Sequence, residues 1–379
     1  MRIKALSVIV GLTVSTLAFA ATTPKDEFFW LSQINKASLV LNSQEGLLKP
    51  DVSKKIAAGI QHVINAGDKE GGARPSRVIK YEPLLIKAAG MDATMLHVGR
   101  SSQDMHATYY SAIMRDNVLR LSSQLSTTME LLNKLAKANE DTIVPNYTNG
   151  VAAQPKSYAH YLQGLLAGFK RDSKRLQEFY VRLNLCPMGT TVLNGTSWPL
   201  NRDKMAHYLG FAGLVEDAYD ASQIKPVDEP IELSAILTSI ALHVGTFVQD
   251  LSVQYAQPRP WILLQEGGDN TYVFSAMPQK RNPGLMIGVR EAASNVIGEA
   301  QGSVFRAHNI IPGMIDPKRV PANTKMVADT IKMLQQFDKM VKALRINKER
   351  ALEEVNNDWT SSQEVADVLM RKYGLPFRV

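Results

Sequence analysis

MHATYYSAIMRDNVLRLSSQLSTTMELLNKLAKAN, residues 105–139, carries one apolar stripe: Ile113, Val118, Leu121, Leu125, Met129, Leu132 and Leu135 recur at steps of three to five. That is the period of an α-helix with one face turned to a core. A helix of this length spans roughly 40–50 Å at about 1.5 Å per residue. A rod that long cannot bury its stripe alone and demands a bundle of similar rods.

The flanking sequence supplies them. Helical patterning covers residues 28–41 and 51–66, the latter opened by Pro50-Asp51, and a short segment 80–89 ended by Gly90. Residues 67–77 form a polar, Gly-rich loop. Beyond the long segment, Pro145 and residues 146–155 break the pattern, which resumes over 156–185 with Pro155 at its start. Short 201–209 and long 229–255 follow; in the latter Ile231, Ala235, Thr238, Leu242, Gly245 and Gln249 fall along one line. A Pro- and Gly-rich loop over 258–274 precedes helical segments 283–305 and 324–344. Strand alternation is scarce. The expected class is all-α, built on a long helical bundle, and wide stripes on several rods suggest faces buried against other subunits.

Composition is that of a globular chain: 379 residues, 45% hydrophobic and 21% charged, enough for two or three domains. The net charge of +7 comes from scattered basic residues without a clustered stripe or interleaved aromatics, which argues against a nucleic-acid surface. A mild positive balance suits an anionic small substrate. One cysteine, Cys186, excludes an internal disulfide and a paired-cysteine metal or redox site. His62, His160, His207 and His243 sit singly in helical patterns, so no metal is expected. Nothing resembles a glycine-rich nucleotide loop, so no cofactor is expected.

Arg2 and Lys4, the apolar run over 5–17 and the small-x-small Ala18-Phe19-Ala20 read as a cleaved signal peptide, residues 1–20. The expectation is a periplasmic or secreted protein without a membrane segment after cleavage.

Several separated motifs carry a family resemblance. Ser275-Ala276-Met277-Pro278-Gln279-Lys280-Arg281-Asn282-Pro283 resembles GSSxMPxKxNP, the signature of the fumarase/aspartase superfamily. His97-Val98-Gly99-Arg100-Ser101-Ser102-Gln103-Asp104 resembles the HTGRSRND segment of argininosuccinate lyases. Tyr147-Thr148-Asn149 through Ala153-Gln154-Pro155 is similar to GYTHxQxAQP, and Pro187-Met188-Gly189, Gly195-Thr196, Pro199-Leu200-Asn201-Arg202 and Leu209-Gly210-Phe211 resemble PLG…GT…PIDR…LGF. Order and spacing agree from about Phe28 to Phe377, where Gly374-Leu375-Pro376-Phe377-Arg378 matches GxPFR.

The resemblance implies an L-aspartase/fumarase-like fold: a small N-terminal helical domain (21–104), a central long-helix bundle (105–346) and a remnant (347–379) of a C-terminal domain otherwise missing. It implies a homotetramer with each active site assembled from three subunits. It also implies cofactor-independent β-elimination from an N-substituted aspartate-type substrate, releasing fumarate or a related unsaturated acid. Such chemistry needs cations and donors placed in advance around a carbanion spread into a carboxylate. By resemblance Lys280 and Asn282 hold the dicarboxylate, Arg100 forks a carboxylate, and Ser101, Gln103, Asn149, Gln154 and Arg202 complete the binding set. Ser275 and Thr148 are the candidate catalytic residues.

The sequence departs from the pattern where proton transfer is performed. Phe274 stands six residues before Lys280, at the place of the base serine; Asn149 replaces the histidine; and Ile287 replaces that histidine's acidic partner. A phenyl ring cannot take a proton, and neutral Asn is no base near neutral pH. Either Ser275 takes over one residue later, or the chain is a catalytically inactive homologue that binds small carboxylates or acts as a scaffold. Residues 315–320 lack the tyrosine and glutamine that meet the guanidino end in argininosuccinate lyases, which points away from argininosuccinate itself.

Overall fold

The computed structural model describes residues 25–308, 310–313 and 323–378. The signal-peptide segment and residues 315–320 lie outside them. The helices α1 (Glu27–Gln44), α2 (Pro50–Gly67) and α3 (Val78–Ala89) precede the 36-residue α4 (Ser102–Lys137). The chain then forms β1 (Ile143–Thr148), β2 (Val151–Ser157), α5 (Tyr158–Leu183), β3 (Leu185–Cys186), α6 (Arg202–Tyr208), β4 (Gly213–Leu214) and α7 (Lys225–Tyr255). It ends with β5 (Ile262–Leu264), β6 (Tyr272–Phe274), β7 (Met277–Asn282), α8 (Gly284–Ala307), α9 (Thr324–Ala343), β8 (Leu344–Ile346), α10 (Lys348–Asn357) and α11 (Ser362–Tyr373). Among the described residues the strands make only two-stranded ladders, β1–β2, β3–β4, β5–β8 and β6–β7, so the fold is built of helices.

Two apolar cores form. The larger lies among α4, α5, α7, α8 and α9 and includes Leu121, Leu125 and Leu132 of the α4 stripe. The smaller joins α1, α2 and α3 to the first turns of α4 and to Cys186, Met188, Met205 and Phe211. Cys186 is fully buried, and burial pushes its thiol up to about 12.

Two expectations are corrected, and on α7 the packed face is distinguished from the line noted in the sequence. Residues 146–155 are not a plain break: β1 and β2 form an antiparallel hairpin, and α5 starts at Tyr158, after Pro155 rather than on it. Asn149 and Gly150 both have positive φ, 53° and 81°, the two-residue turn that Asn-Gly favours because neither suffers much in the left-handed region. On α7 the line Ala235, Leu242 and Gln249 faces outward, Leu242 being 53% exposed. The packed face is Leu233, Leu237, Ile240, Val244, Phe247 and Leu251. Because α7 is apolar on both sides, period alone does not choose the inner face. Residues 258–274 hold the short strands β5 and β6 rather than loop alone. By length and composition the segment Asp220–Tyr255 includes a window apolar enough to cross a membrane, yet half of that window is buried inside the protein. Core packing accounts for that composition.

Candidate functional site

The bundle's direction follows from its contacts. Lys225, at the start of α7, donates to the Arg182 carbonyl at the end of α5 at 3.3 Å, while Tyr161 at the start of α5 donates to Asp250 near the end of α7 at 2.5 Å. The two helices therefore run antiparallel. Arg115, in the first half of α4, donates to Asn184 just beyond α5 at 3.0 Å. One end of the bundle thus gathers the start of α4, the end of α5 and the start of α7. The other end carries both hairpins.

At the first end sit Arg100, Ser101, Gln103 and Arg202. Ser101 caps α4: its hydroxyl oxygen accepts the Gln103 amide at 3.0 Å and the Asp104 carboxylate accepts the Ser101 amide at 2.8 Å. This reciprocal box satisfies orphan donors of the helix start. The second Asp104 oxygen accepts the Gly189 and Thr191 amides at 3.0 and 3.1 Å. The same residue thereby fixes the loop after β3. Asp104 is wholly buried, and burial pushes its carboxyl up to about 6 against the opposing amide bonds. Sequence reading passed over it, although the capping spacing Ser101 to Asp104 was in plain view.

Arg100 is buried beside Asn35, Tyr81 and Glu82 and donates to Ser38 at 3.1 Å. Burial lowers its guanidinium to about 10. Gln103 donates to the Ser222 carbonyl at 2.8 Å. Arg202 reaches the carbonyls of Met188, Val215 and Glu216 at 3.2, 2.7 and 3.3 Å. The bonds observed for Gln103 and Arg202 make them clamps between main-chain segments.

At the second end Thr148 and Asn149 close the β1–β2 hairpin, exposed to solvent. The hairpin is tied down by Tyr147, whose hydroxyl accepts from Trp261 Nε1 at 2.8 Å and donates to Glu354 at 2.5 Å. Gln154 donates to Gln363 at 2.6 Å. The signature stretch is a second hairpin, β6–β7, in which Phe274 pairs with Met277 and Tyr272 with Asn282. Ser275 and Ala276 are its turn. Asn282 is buried and donates to the Tyr272 carbonyl at 3.0 Å, and Tyr255 donates to the Arg281 carbonyl at 3.1 Å. Lys280 lies on the irregular part of β7, its ammonium 5.0 Å from the centre of the Phe274 ring. Ile287 is 47% exposed on the first turns of α8.

The single chain therefore divides the expected residues. Lys280, Ser275, Asn282, Thr148, Asn149 and Gln154 are at one end; Arg100, Ser101, Gln103 and Arg202 are at the other. The 36 residues of α4 put about 54 Å between the ends. A groove of about 1210 Å3 runs between α8 and α9 past Asn295, Glu299, Lys325 and Asp329 and touches none of the expected residues. Elsewhere His243, read as a lone histidine, is instead paired: its Nδ1 lies 2.6 Å from the buried Asp172 carboxylate, which also accepts from Ser239 and Arg175 at 2.7 and 2.6 Å.

Comparison with known proteins agrees with the motifs. A family model described as "Lyase" matches residues 52–298. Argininosuccinate lyase of Acetivibrio thermocellus is 34% identical over 79% of this chain and 65% of its own length. That of Oceanobacillus iheyensis is 30% identical over 88% of this chain and 72% of its own length. The chain thus spans about two thirds to three quarters of these relatives. Among solved structures, an EDDS lyase variant with bound fumarate superposes with a TM-score of 0.82 at 26% identity, covering 93% of this chain and 69% of that one. Class II fumarase from Schistosoma mansoni shares the fold, with a TM-score of 0.73 at 15% identity, over 93% of this chain and 82% of its own. A Lyase-model match over most of the chain, argininosuccinate lyase relatives and the shared long-helix fold place the chain in the lyase family of the fumarase/aspartase superfamily.

Proposed function

We propose that the protein is a cofactor-independent C–N lyase, argininosuccinate lyase-like, that removes an amine from an N-substituted aspartate-type substrate. A proton leaves the carbon beside one carboxylate, its electron pair spreads into that carboxylate, and the neighbouring C–N bond breaks to give fumarate or a related acid. The observation that carries this reading is the signature hairpin, where Asn282 locks the backbone and leaves Lys280 exposed, with no carboxylate in ion-pair range among the described residues. An unneutralised cation on an anchored hairpin is suited to a carboxylate. Thr148, Asn149 and Gln154 share the Lys280 end of the chain, and Arg100 and Ser101, at the other end, belong to this proposed site through neighbouring subunits of a homotetramer, since no one chain brings the two ends together. An exported, periplasmic or secreted protein with a cleaved leader fits the N-terminal sequence.

A specific observation favours the second reading, a carboxylate-binding homologue without turnover. Ser275 is at an exposed turn with no hydrogen bond to a basic side chain among the described residues, so nothing there activates its hydroxyl. The test is to offer purified protein argininosuccinate, aspartate and N-substituted aspartates and follow the ultraviolet absorbance of fumarate. Turnover lost in Ser275→Ala supports elimination through Ser275, and unchanged turnover removes Ser275 from the mechanism. No turnover alongside measurable fumarate binding leaves the binding reading standing.

A further inference from the structure

Asn149 and Gly150 close the β1–β2 hairpin as an exposed two-residue turn, both with positive φ. Asn followed by Gly is a reactive pair. The glycine amide nitrogen can attack the side-chain carbon of the asparagine, and glycine, lacking a Cβ, leaves that approach open. Space is free here, since no atom beyond its chain neighbours lies within 4 Å of where a Cβ on Gly150 would stand. Among the described residues neither the Gly150 amide nor the Asn149 side chain has a hydrogen-bond partner. The tip is also lightly held. Beyond Tyr147 one ladder pair remains before the turn, Thr148 with Val151, and both of its residues are exposed. Opening such a ladder end is a low-cost local unfolding, and it lets the Asn149 side chain swing onto the next amide. The chain holds a second Asn-Gly pair, Asn194-Gly195. There the Gly195 amide donates to the Thr190 carbonyl at 3.1 Å, and the Gly195 carbonyl accepts from the Thr191 hydroxyl at 2.7 Å. The same reaction at that pair needs the amide released first.

We infer that Asn149-Gly150 is a self-modifying site, converted by water alone into an aspartyl or isoaspartyl linkage that leaves a carboxylate at the hairpin tip. The Gly150 nitrogen gives its proton to hydroxide and bonds to Asn149 Cγ. The bond from Cγ to the side-chain nitrogen breaks, and ammonia leaves with a proton taken from water, closing a five-membered imide. Water then opens the ring. Cleavage at Cγ gives aspartate in the original backbone. Cleavage at the main-chain carbonyl gives isoaspartate, with the chain rerouted through the former side chain. Each conversion consumes one water and releases one ammonia. The isoaspartyl form adds a carbon to the turn, so the Thr148–Val151 pair no longer closes over a standard two-residue loop. Either product puts an anion where the resemblance expects histidine and the encoded side chain is neutral. The inference holds whether the protein eliminates or only binds.

The test is incubation of the freshly purified full chain at mildly alkaline pH in water enriched in heavy oxygen, followed by peptide mapping with mass spectrometry. The peptide spanning Asn149 is expected to gain the mass of an amide-to-acid exchange together with a heavy oxygen, and electron-transfer fragmentation should resolve the two linkages. Asn194 should convert about tenfold more slowly in the folded chain, the factor that one retained hydrogen bond supplies. In denaturant the two sites should convert at similar rates, because the covalent motif is shared. Asn149→Gln, whose longer side chain closes a ring far less readily, should lose the reaction at this position. Asn149 left intact in the folded chain over a time in which both sites convert in denaturant overturns the inference. So does an Asn194 that keeps pace with Asn149 in the folded chain, since the open tip then confers nothing. A gap between the sites that persists unchanged in denaturant assigns it to local sequence rather than to the fold, and overturns the inference as well.

Discussion

Asp104 in the first turn of α4 accepts the Gly189 amide across 85 residues of sequence, at 3.0 Å. One carboxylate thereby caps a helix and holds the loop after β3 against it. Asp104→Asn keeps the shape but turns donors toward the Gly189 and Thr191 amides, and should lower unfolding free energy by about 2 kcal/mol at pH 7. The pH dependence has a definite sign. The folded carboxyl titrates at about 6 and its ordinary value is 3.8, so within that window the folded chain holds a proton the unfolded chain has lost. Stability contributed by this group is full below the window, falls as pH rises through it and levels off above. Denaturant melts at several pH values should show the variant's deficit widening on acidification from pH 6 to pH 4.

Gly99 has φ +63°, and a Cβ built there would lie 2.0 Å from Leu200 Cδ1. Gly99→Ala combines backbone strain with overlap and should cost about 2–4 kcal/mol. A thermal melt within a degree or two of the parent would contradict the packing of this turn on Leu200.

Tyr147 joins three elements through one hydroxyl, receiving from Trp261 and donating to Glu354. Tyr147→Phe leaves the Trp261 indole N–H without its acceptor and should cost about 1–2 kcal/mol. Faster amide hydrogen exchange confined to residues 143–157 and α10 would mark the loosened attachment; uniform exchange rates would refute it.

The Asp172 carboxylate, fully buried, gathers Ser239, Arg175 and His243. Asp172→Ala should destabilise the protein by about 2 kcal/mol, less than three orphaned donors would suggest, because Arg175 and His243 both reach water. In nitrogen-15 spectra the His243 ring should lose its single preferred tautomer.

Much of the fold was legible because its elements are long. The α4 stripe repeats often enough to fix both helix and inner face, and Val118, Leu121, Leu125 and Leu132 are all buried. On α7 the same reasoning found the helix but did not distinguish its inner face, since apolar residues occupy both faces. The β1–β2 hairpin was missed although Asn149-Gly150 is a strong turn signal, because the neighbouring prolines were read only as breakers. Around the site, residue types could be read from motifs but their partners could not. Arg100 meets Ser38 and His243 meets Asp172, 62 and 71 positions away, and such pairings arise only when helices pack.

The length of α4 has a further consequence. An amino-dicarboxylate is about 10 Å long, a fraction of that helix, so an isolated chain can grip it with one set of residues and never with both. Any process that needs both sets must weaken faster than in proportion when the protein is diluted, and added partner-free chain should restore it. Specific activity or affinity that holds constant down to concentrations where sedimentation shows lone chains would mean that one end of the rod suffices.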